Sequence, residues 1–225
     1  METIKTQAVT FDVGRTLIEP WPSVGEVYAQ VAQEHGFEIA NAQQIEAQFQ
    51  QAWADKADFR YTEEGWLGLV IKSFAGILSQ DQCAQIFPRL YQRFEQADVW
   101  RIHDDVLPTL DDLAGRGFRL AVVSNWDTRL RTLLNELKLM SFFETASISS
   151  EVGFTKPSPV LFEHVLKKLG LSGSAVVHVG DSTREDIDGA EGAGITGVLV
   201  RRSEGNSIGA ISKLTELITL LSEAW

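Results

Sequence analysis

At 225 residues the chain can hold one large domain or two small ones, with a core that needs no covalent staples. Its formal net charge of -11 repels nucleic acid and anionic lipid, so any phosphate chemistry must rest on a local cationic site or a metal. One cysteine, Cys83, rules out an internal disulfide and fits a reducing compartment.

The first residues, METIKTQAV, lack a basic region followed by an apolar run, and no stretch approaches the length of a membrane span. The expectation is a cytoplasmic protein with neither a membrane nor a nucleic-acid partner. QAVTFD (7–12) reads as a short apolar strand ending in a carboxylate, followed by Val13, Gly14, Arg15 and Thr16. Residues 22–98 then carry almost no strand signal. Their apolar spacing predicts four helices, over 22–34, 42–59, 65–78 and 83–97, broken at HGF, RYTEE and SQDQ.

From residue 104 the texture changes. The runs LAVVSN (120–125), ASISS (146–150), VVHVGD (176–181) and TGVLVR (196–201) alternate with helical patterns over 127–139, 158–170 and 186–194. The last segment, IGAISKLTELITLLSEAW, reads as a closing helix. Non-alternating apolar runs between amphipathic helices predict a parallel sheet covered on both faces. The fold class expected is therefore α/β: a Rossmann-like parallel core from 1–18 and 99–225, with an α-helical domain, 19–98, inserted after the first strand.

In open parallel sheets chemistry sits beyond the carboxyl ends of the strands. Asp12 follows the first strand, Ser124 and Asn125 end the second, Lys156 lies in the loop after the third, and Asp181 and Asp186 follow the fourth. Any one of these polar residues is accounted for as a helix cap. All of them at one sheet edge call for another reason. Carboxylates placed together need a cation between them, and oxygen donors without His or Cys favour Mg²⁺. A lysine beside such a site suits a phosphate. A carboxylate can attack phosphorus, and Ser124 and Asn125 can hydrogen-bond the phosphoryl oxygens.

FDVGRTL, VVSNWD, the Lys-Pro of FTKPSP and VGDSTRED, in that order, resemble the four motifs of the haloacid dehalogenase (HAD) superfamily. The helical insertion resembles that family's type I (C1) cap. The resemblance implies Asp12 as nucleophile and Mg²⁺ ligand, and the Gly14 carbonyl as a second ligand. It implies that Thr16 steadies the loop and that Ser124 and Asn125 bind the phosphoryl group. Lys156 pairs with Asp12, and Asp181 and Asp186 hold the metal. Small phosphorylated molecules are the substrates it implies.

Gly14 departs from the family pattern, where an Asp usually protonates the leaving oxygen and then activates water. Such help is worth about 10²- to 10⁴-fold, most of it with poor leaving groups. Arg15, where the family usually has Gly, cannot serve as a base. Three readings stay open: a slow or specialised phosphatase, drawing its proton from Glu19, Asp127 or the substrate; a non-catalytic binding protein; or dehalogenase- or phosphonatase-like chemistry. Asp181 argues against a dehalogenase. A phosphonatase needs a lysine from the cap, and Lys56 and Lys72 read as solvated helix residues. Trp126 either lines the mouth of the site or packs the helix start. Trp21 and Trp53 either shape a pocket or, for Trp53 above all, fill the core of the helical domain. His178 reads as a core histidine satisfied by a neighbour, His103 as a cap for the helix near Asp105, and Arg184 and Glu185 as facing solvent or each other. The sequence leaves the oligomeric state undetermined.

Overall fold

The protein is described by a computed structural model covering residues 6–56, 59–202 and 209–223. The chain divides into two compact units, Met1–Glu19 with Ile102–Trp225, and Pro20–Arg101.

Among its described residues the first unit is built on six parallel strands. They are β1 (Ala8–Phe11), β4 (Arg119–Ser124), β5 (Thr145–Ile148), β6 (Val176–Gly180), β7 (Thr196–Val200) and β8 (Ala210–Ile211), in the order β5-β4-β1-β6-β7-β8. Short strands β2 (Ile18–Pro20) and β3 (Trp100–Ile102) pair separately where the chain leaves and re-enters this unit. Apolar runs without alternation become strands buried on both faces, as expected for a parallel sheet. Ala8, Ala121, Val123 and Val176 pack beneath Leu161, Phe162 and Val165 of α8 (Pro159–Leu169). Val9, Phe11, Val122 and Val179 point the other way and are equally buried, with Phe11 against Phe143. The strand order reverses direction at β1, which lies between β4 and β6. That reversal opens a crevice beyond the carboxyl end of β1, where Asp12 stands.

The closing segment differs from its expectation. Among its described residues α10 (Glu216–Glu223) is the helical part, while Ala210 and Ile211 extend the sheet edge beside β7. Gly209, at φ +83°, turns the chain into that strand. Positions 208, 224 and 225 of the segment lie outside the described residues. The helix expected over 186–194 is split: a wide π turn over Thr183–Asp188 leads into the short α9 (Gly189–Gly192).

Among its described residues the second unit holds four helices, α1 (Val24–Glu34), α2 (Ala42–Ala54), α3 (Glu63–Ser73) and α4 (Gln80–Arg93). Each starts at a side-chain cap: Ser23, Asn41, Thr62, and Ser79 with a reciprocal Gln82. The second helix ends at Ala54, five residues short of its expected end, and positions 57 and 58 lie outside the described residues. Val31, Ile45, Phe74, Cys83 and Ile86 are fully buried at the centre. Cys83 is thus core filler. Trp53 stacks on Phe49 and Trp66, with ring centroids 6.1 and 5.9 Å away. Lys56 is not a solvated helix residue: its ammonium lies 3.7 Å from the Trp53 ring centroid and donates to the Tyr61 hydroxyl at 3.2 Å.

Helices α1 and α2 approach closely at Gly25. Its N–H donates to Glu46 at 2.7 Å, and a Cβ there would meet the Ala42 carbonyl oxygen and come within 2.7 Å of the Glu46 nitrogen. Backbone atoms cannot swing aside as a side-chain tip can. Gly25→Ala is therefore expected to destabilise this unit by about 1–3 kcal/mol, the usual cost of overpacking. Chemical denaturation measures it, and an unchanged midpoint would contradict the close packing.

Candidate active site

β1 delivers Asp12 into the crevice with its N–H bonded to the Val179 carbonyl at 2.9 Å. Ser124, the last residue of β4, donates its hydroxyl to Asp12 Oδ1 at 2.9 Å. Lys156 Nζ donates to the same oxygen at 2.6 Å, to Asp186 Oδ1 at 2.6 Å and to the Val123 carbonyl at 3.1 Å. All three ammonium protons are therefore used, although Lys156 is only 3 % exposed. Asn125 clamps the loop that presents this lysine. Its Oδ1 accepts the Lys156 N–H at 2.7 Å, and its Nδ2 donates to the Lys156 carbonyl at 3.1 Å.

Asp186 is placed by the π turn. Its Oδ2 accepts the Ser182 N–H at 2.9 Å, while its own N–H bonds the Ser182 carbonyl. A Cβ at Gly180 would collide with the Asp186 carboxylate, so glycine there makes the room this carboxylate occupies. His178 lies in β6 beside Thr10 of β1, in register. With Nε2 protonated, it donates to Asp186 Oδ1 at 3.1 Å and accepts the Thr10 hydroxyl at Nδ1, 2.9 Å away. The expectation of a satisfied core histidine is met, and the neighbour is a site residue.

Asp12, Asp181 and Asp186 each offer one oxygen, and these oxygens lie within 4.8 Å of one another. Burial pushes the Asp12 carboxyl above its ordinary range; Lys156 pulls it back and the Asp186 charge adds to the rise. Burial also pulls on Lys156, but the charges of Asp12 and Asp186 outweigh it and raise the ammonium's pKa. Asp186 goes the other way. Burial opposes its charge, yet Lys156 and the His178 hydrogen bond hold it well below the usual carboxylate range. Asp181 takes the repulsion that remains: burial, then the charges of Asp12 and Asp186, push it up to about 7 against the pull of Lys156 and Arg15. His178 is held neutral, lowered by burial.

Thr16 is fully buried; its carbonyl accepts from Arg202 Nε at 3.1 Å and Nη2 at 2.6 Å, and its hydroxyl has no hydrogen-bond partner among the described residues. Arg202 is braced in turn by Asp105, at 2.9 and 3.1 Å. Arg15 adopts φ +58° at the turn after Gly14, with its N–H bonded to the Ile18 carbonyl at 2.7 Å. Trp126 is half-buried, and its indole Cζ3 is 3.5 Å from the position a Cβ would take on Gly14.

Two sequence expectations need correction. Asp127 is not an available proton carrier. It is buried in a bidentate pair with Arg129, at 2.8 and 2.6 Å, which closes the turn into α6 (Arg129–Glu136). Glu185 does not simply face solvent or Arg184, because it accepts from Asn125 Nδ2 at 3.2 Å. Its adjacency to Asp186 was the available signal; the turn that brings it to Asn125 was not readable. Glu19 lies 3.8 Å from His103, whose carbonyl accepts the Val106 N–H at the start of α5 (Val106–Gly115).

The family model described as haloacid dehalogenase-like hydrolase matches residues 6–194. The human haloacid dehalogenase-like hydrolase domain-containing protein 3 is 32% identical over 208 residues, covering 88% of this chain and 82% of that protein. A glyceraldehyde 3-phosphate phosphatase of Methanopyrus kandleri is 38% identical over 103 residues, 45% of this chain and 44% of its own. The crystal structure of a HAD phosphatase from Thermococcus onnurineus superposes with a TM-score of 0.68 at 23% identity, covering 96% of this chain and 98% of that one.

The raised Asp181 has a sign that can be checked. Between its ordinary value of 3.8 and about 7, the folded cation-free protein keeps a proton that the unfolded chain has released. Folding stability from this group therefore falls as pH rises through that window. Asp181→Asn is expected to raise Tm in chelator more at pH 8 than at pH 5. A pH-independent difference would show that Asp181 carries no such strain.

Proposed function

The chain belongs to the haloacid dehalogenase-like hydrolase family, and on that premise we propose that it is a Mg²⁺-dependent hydrolase of small phosphate esters with Asp12 as nucleophile. The observation that carries this reading is the Asp12–Lys156–Asp186 bridge with Asp181 beside it. With all three carboxylates ionised, as a bound cation would require, the Lys156 ammonium leaves two of their negative charges unbalanced, and His178 is neutral. A single divalent ion balances that charge, and an all-oxygen donor set suits a hard one. Asp12, Asp181 and Asp186 would hold it with the Gly14 carbonyl. When bound it supplies charge neutralisation for the approach of an anionic phosphate to a carboxylate.

Asp12 is buried, more basic than an ordinary aspartate, and held at one oxygen by Lys156 and Ser124. Its attack forms a carboxyl oxygen–phosphorus bond as the ester oxygen–phosphorus bond breaks, and the electron pair leaves with the ester oxygen. Water then attacks phosphorus and the carboxyl oxygen–phosphorus bond breaks to return Asp12 and phosphate; the proton that water gives up passes to solvent, from which the departed ester oxygen takes one to become the alcohol. Lys156 supplies charge for the phosphoryl oxygens, and Ser124 and Asn125 supply hydrogen bonds by turning from Asp12 and Glu185 towards them. Thr16 acts from within the loop, holding it through its Arg202-bonded carbonyl. The inserted helical unit serves as the cap, residues 19–98, and the setting is cytoplasmic. The glyceraldehyde 3-phosphate phosphatase among the relatives supports a small phosphorylated substrate. A phosphonate-cleaving role for Lys56 loses support from its place in the aromatic cluster.

Phosphate release from 4-nitrophenyl phosphate is expected to require Mg²⁺ and to fall at least about 10³-fold in Asp12→Asn. Release that survives the substitution would remove Asp12 from the mechanism. Gly14→Asp is expected to raise turnover of glycerol phosphate about 10-fold or more, since this glycine's φ is not positive and a Cβ meets Trp126 at ordinary contact distance. No gain in a folded, Mg²⁺-binding variant would contradict an otherwise intact site.

A further inference from the structure

We propose that the tandem arginines Arg201 and Arg202 are positioning residues of the cation site: Arg201 fixes the peptide that carries Asp181, and Arg202 fixes the loop that carries the Gly14 carbonyl. This deepens the Mg²⁺-dependent reading and rests on it.

Asp12 and Asp186 are held at their carboxylates, by Ser124 and Lys156 for the first and by Lys156, His178 and the Ser182 N–H for the second. Asp181 has no such support. Among the described residues its carboxylate accepts no hydrogen bond, and the influences on it are burial and neighbouring charges. Its backbone is gripped instead. Arg201 Nη1 donates to the Asp181 carbonyl at 2.8 Å, and Nη2 donates to the Thr183 hydroxyl at 3.2 Å. A planar guanidinium with two arms engaged fixes the direction of the turn that aims Asp181.

Arg202 does the same for the other loop. Its Nε and Nη2 both donate to the Thr16 carbonyl, at 3.1 and 2.6 Å, two residues beyond Gly14. Its Nη1 is held by Asp105, whose Oδ2 also accepts the Leu214 N–H at 2.6 Å. All three nitrogens of the guanidinium are thus committed. Sheet order makes both reaches possible. β7 pairs with β6 in parallel, Leu199 opposite Gly180, so the chain leaves β7 level with the turn after β6. The Arg201 N–H, bonded to the Ile211 carbonyl at 2.8 Å, ties that exit to β8. As bare charges two arginines beside a cation site would weaken it. Their printed bonds to the two loops go to carbonyls and a hydroxyl, and none goes to the carboxylates of Asp12, Asp181 or Asp186. Their contribution is therefore placement. Placement matters most for Mg²⁺, which demands near-ideal octahedral geometry where Ca²⁺ tolerates a flexible one.

The test is titration calorimetry of the full chain with Mg²⁺ and, separately, with Ca²⁺, in the absence of substrate. Arg201→Ala and Arg202→Ala are each expected to weaken the Mg²⁺ Kd about 10-fold or more, the usual cost of losing a residue that orients a metal ligand, and to weaken Ca²⁺ binding less. Loss of charge alone has the opposite sign and would tighten both ions. Arg201→Lys and Arg202→Lys keep the charge without the fork and are expected to recover only part of the Mg²⁺ affinity. Arg119→Ala controls for general destabilisation. Arg119 also clasps a backbone carbonyl, that of Leu169 at 2.7 Å, but at the opposite end of β4 from Ser124. Its loss is expected to lower Tm and leave both Kd values unchanged. An Mg²⁺ Kd unchanged or tightened in an alanine variant overturns that arginine's role alone; should the alanine variant not fold, an unchanged Kd in its lysine variant does the same. No Mg²⁺ binding by the unsubstituted protein overturns the Mg²⁺-dependent reading, and the positioning role with it.

Discussion

The site depends on one buried ammonium. Lys156 joins the end of β1 to the π turn after β6 by bonding Asp12 and Asp186 at once. Breaking one partner of such a buried pair typically costs about 3–5 kcal/mol, because the survivor is left charged and desolvated. Much of the surrounding architecture serves to hold this contact. Asn125 grips the lysine's own peptide group, Val123 takes its third proton, and Ser124 shares Asp12. Behind Asp186, His178 and Thr10 form a neutral chain that Phe162 covers, ring to ring at 5.0 Å.

One lysine cannot balance three carboxylates, and the structure shows where the deficit lands. Asp186 takes the best partners and stays ionised far below neutrality, while Asp181 is left with its proton near neutral pH. Such a pattern is enriched at functional sites: the arrangement is unfavourable for folding, and its three carboxylate oxygens are close enough together to hold a metal ion. Sheet topology places that conflict at the strand-order reversal, beyond the carboxyl ends of β1 and β6.

Much of this was legible in the sequence. The apolar runs ending in Asp12, Ser124 and Asp181 became β1, β4 and β6, because a run buried on both faces has no alternation to misread. Lys156 and Asp186 were found by their place after strands. What stayed hidden depends on geometry across the chain. Thr10 meets His178 only through the parallel register, and Trp126 meets Gly14 only after β1 and β4 pair. Asp127 looked available because a bidentate bond to Arg129, two residues on, has no sequence signature. Strands β2, β3 and β8 are two or three residues long, too short for any period to show.

The most direct test of the central claim, that Asp12 is the nucleophile, is to trap the covalent intermediate. The protein is mixed with 4-nitrophenyl phosphate and Mg²⁺, quenched in acid within a turnover, and digested for mass spectrometry. The account predicts one phosphoryl group on the peptide carrying Asp12, convertible to homoserine at that position by borohydride. Product release with the peptide unmodified at every quench time, and phosphate chemistry proceeding without a covalent stage, would contradict it.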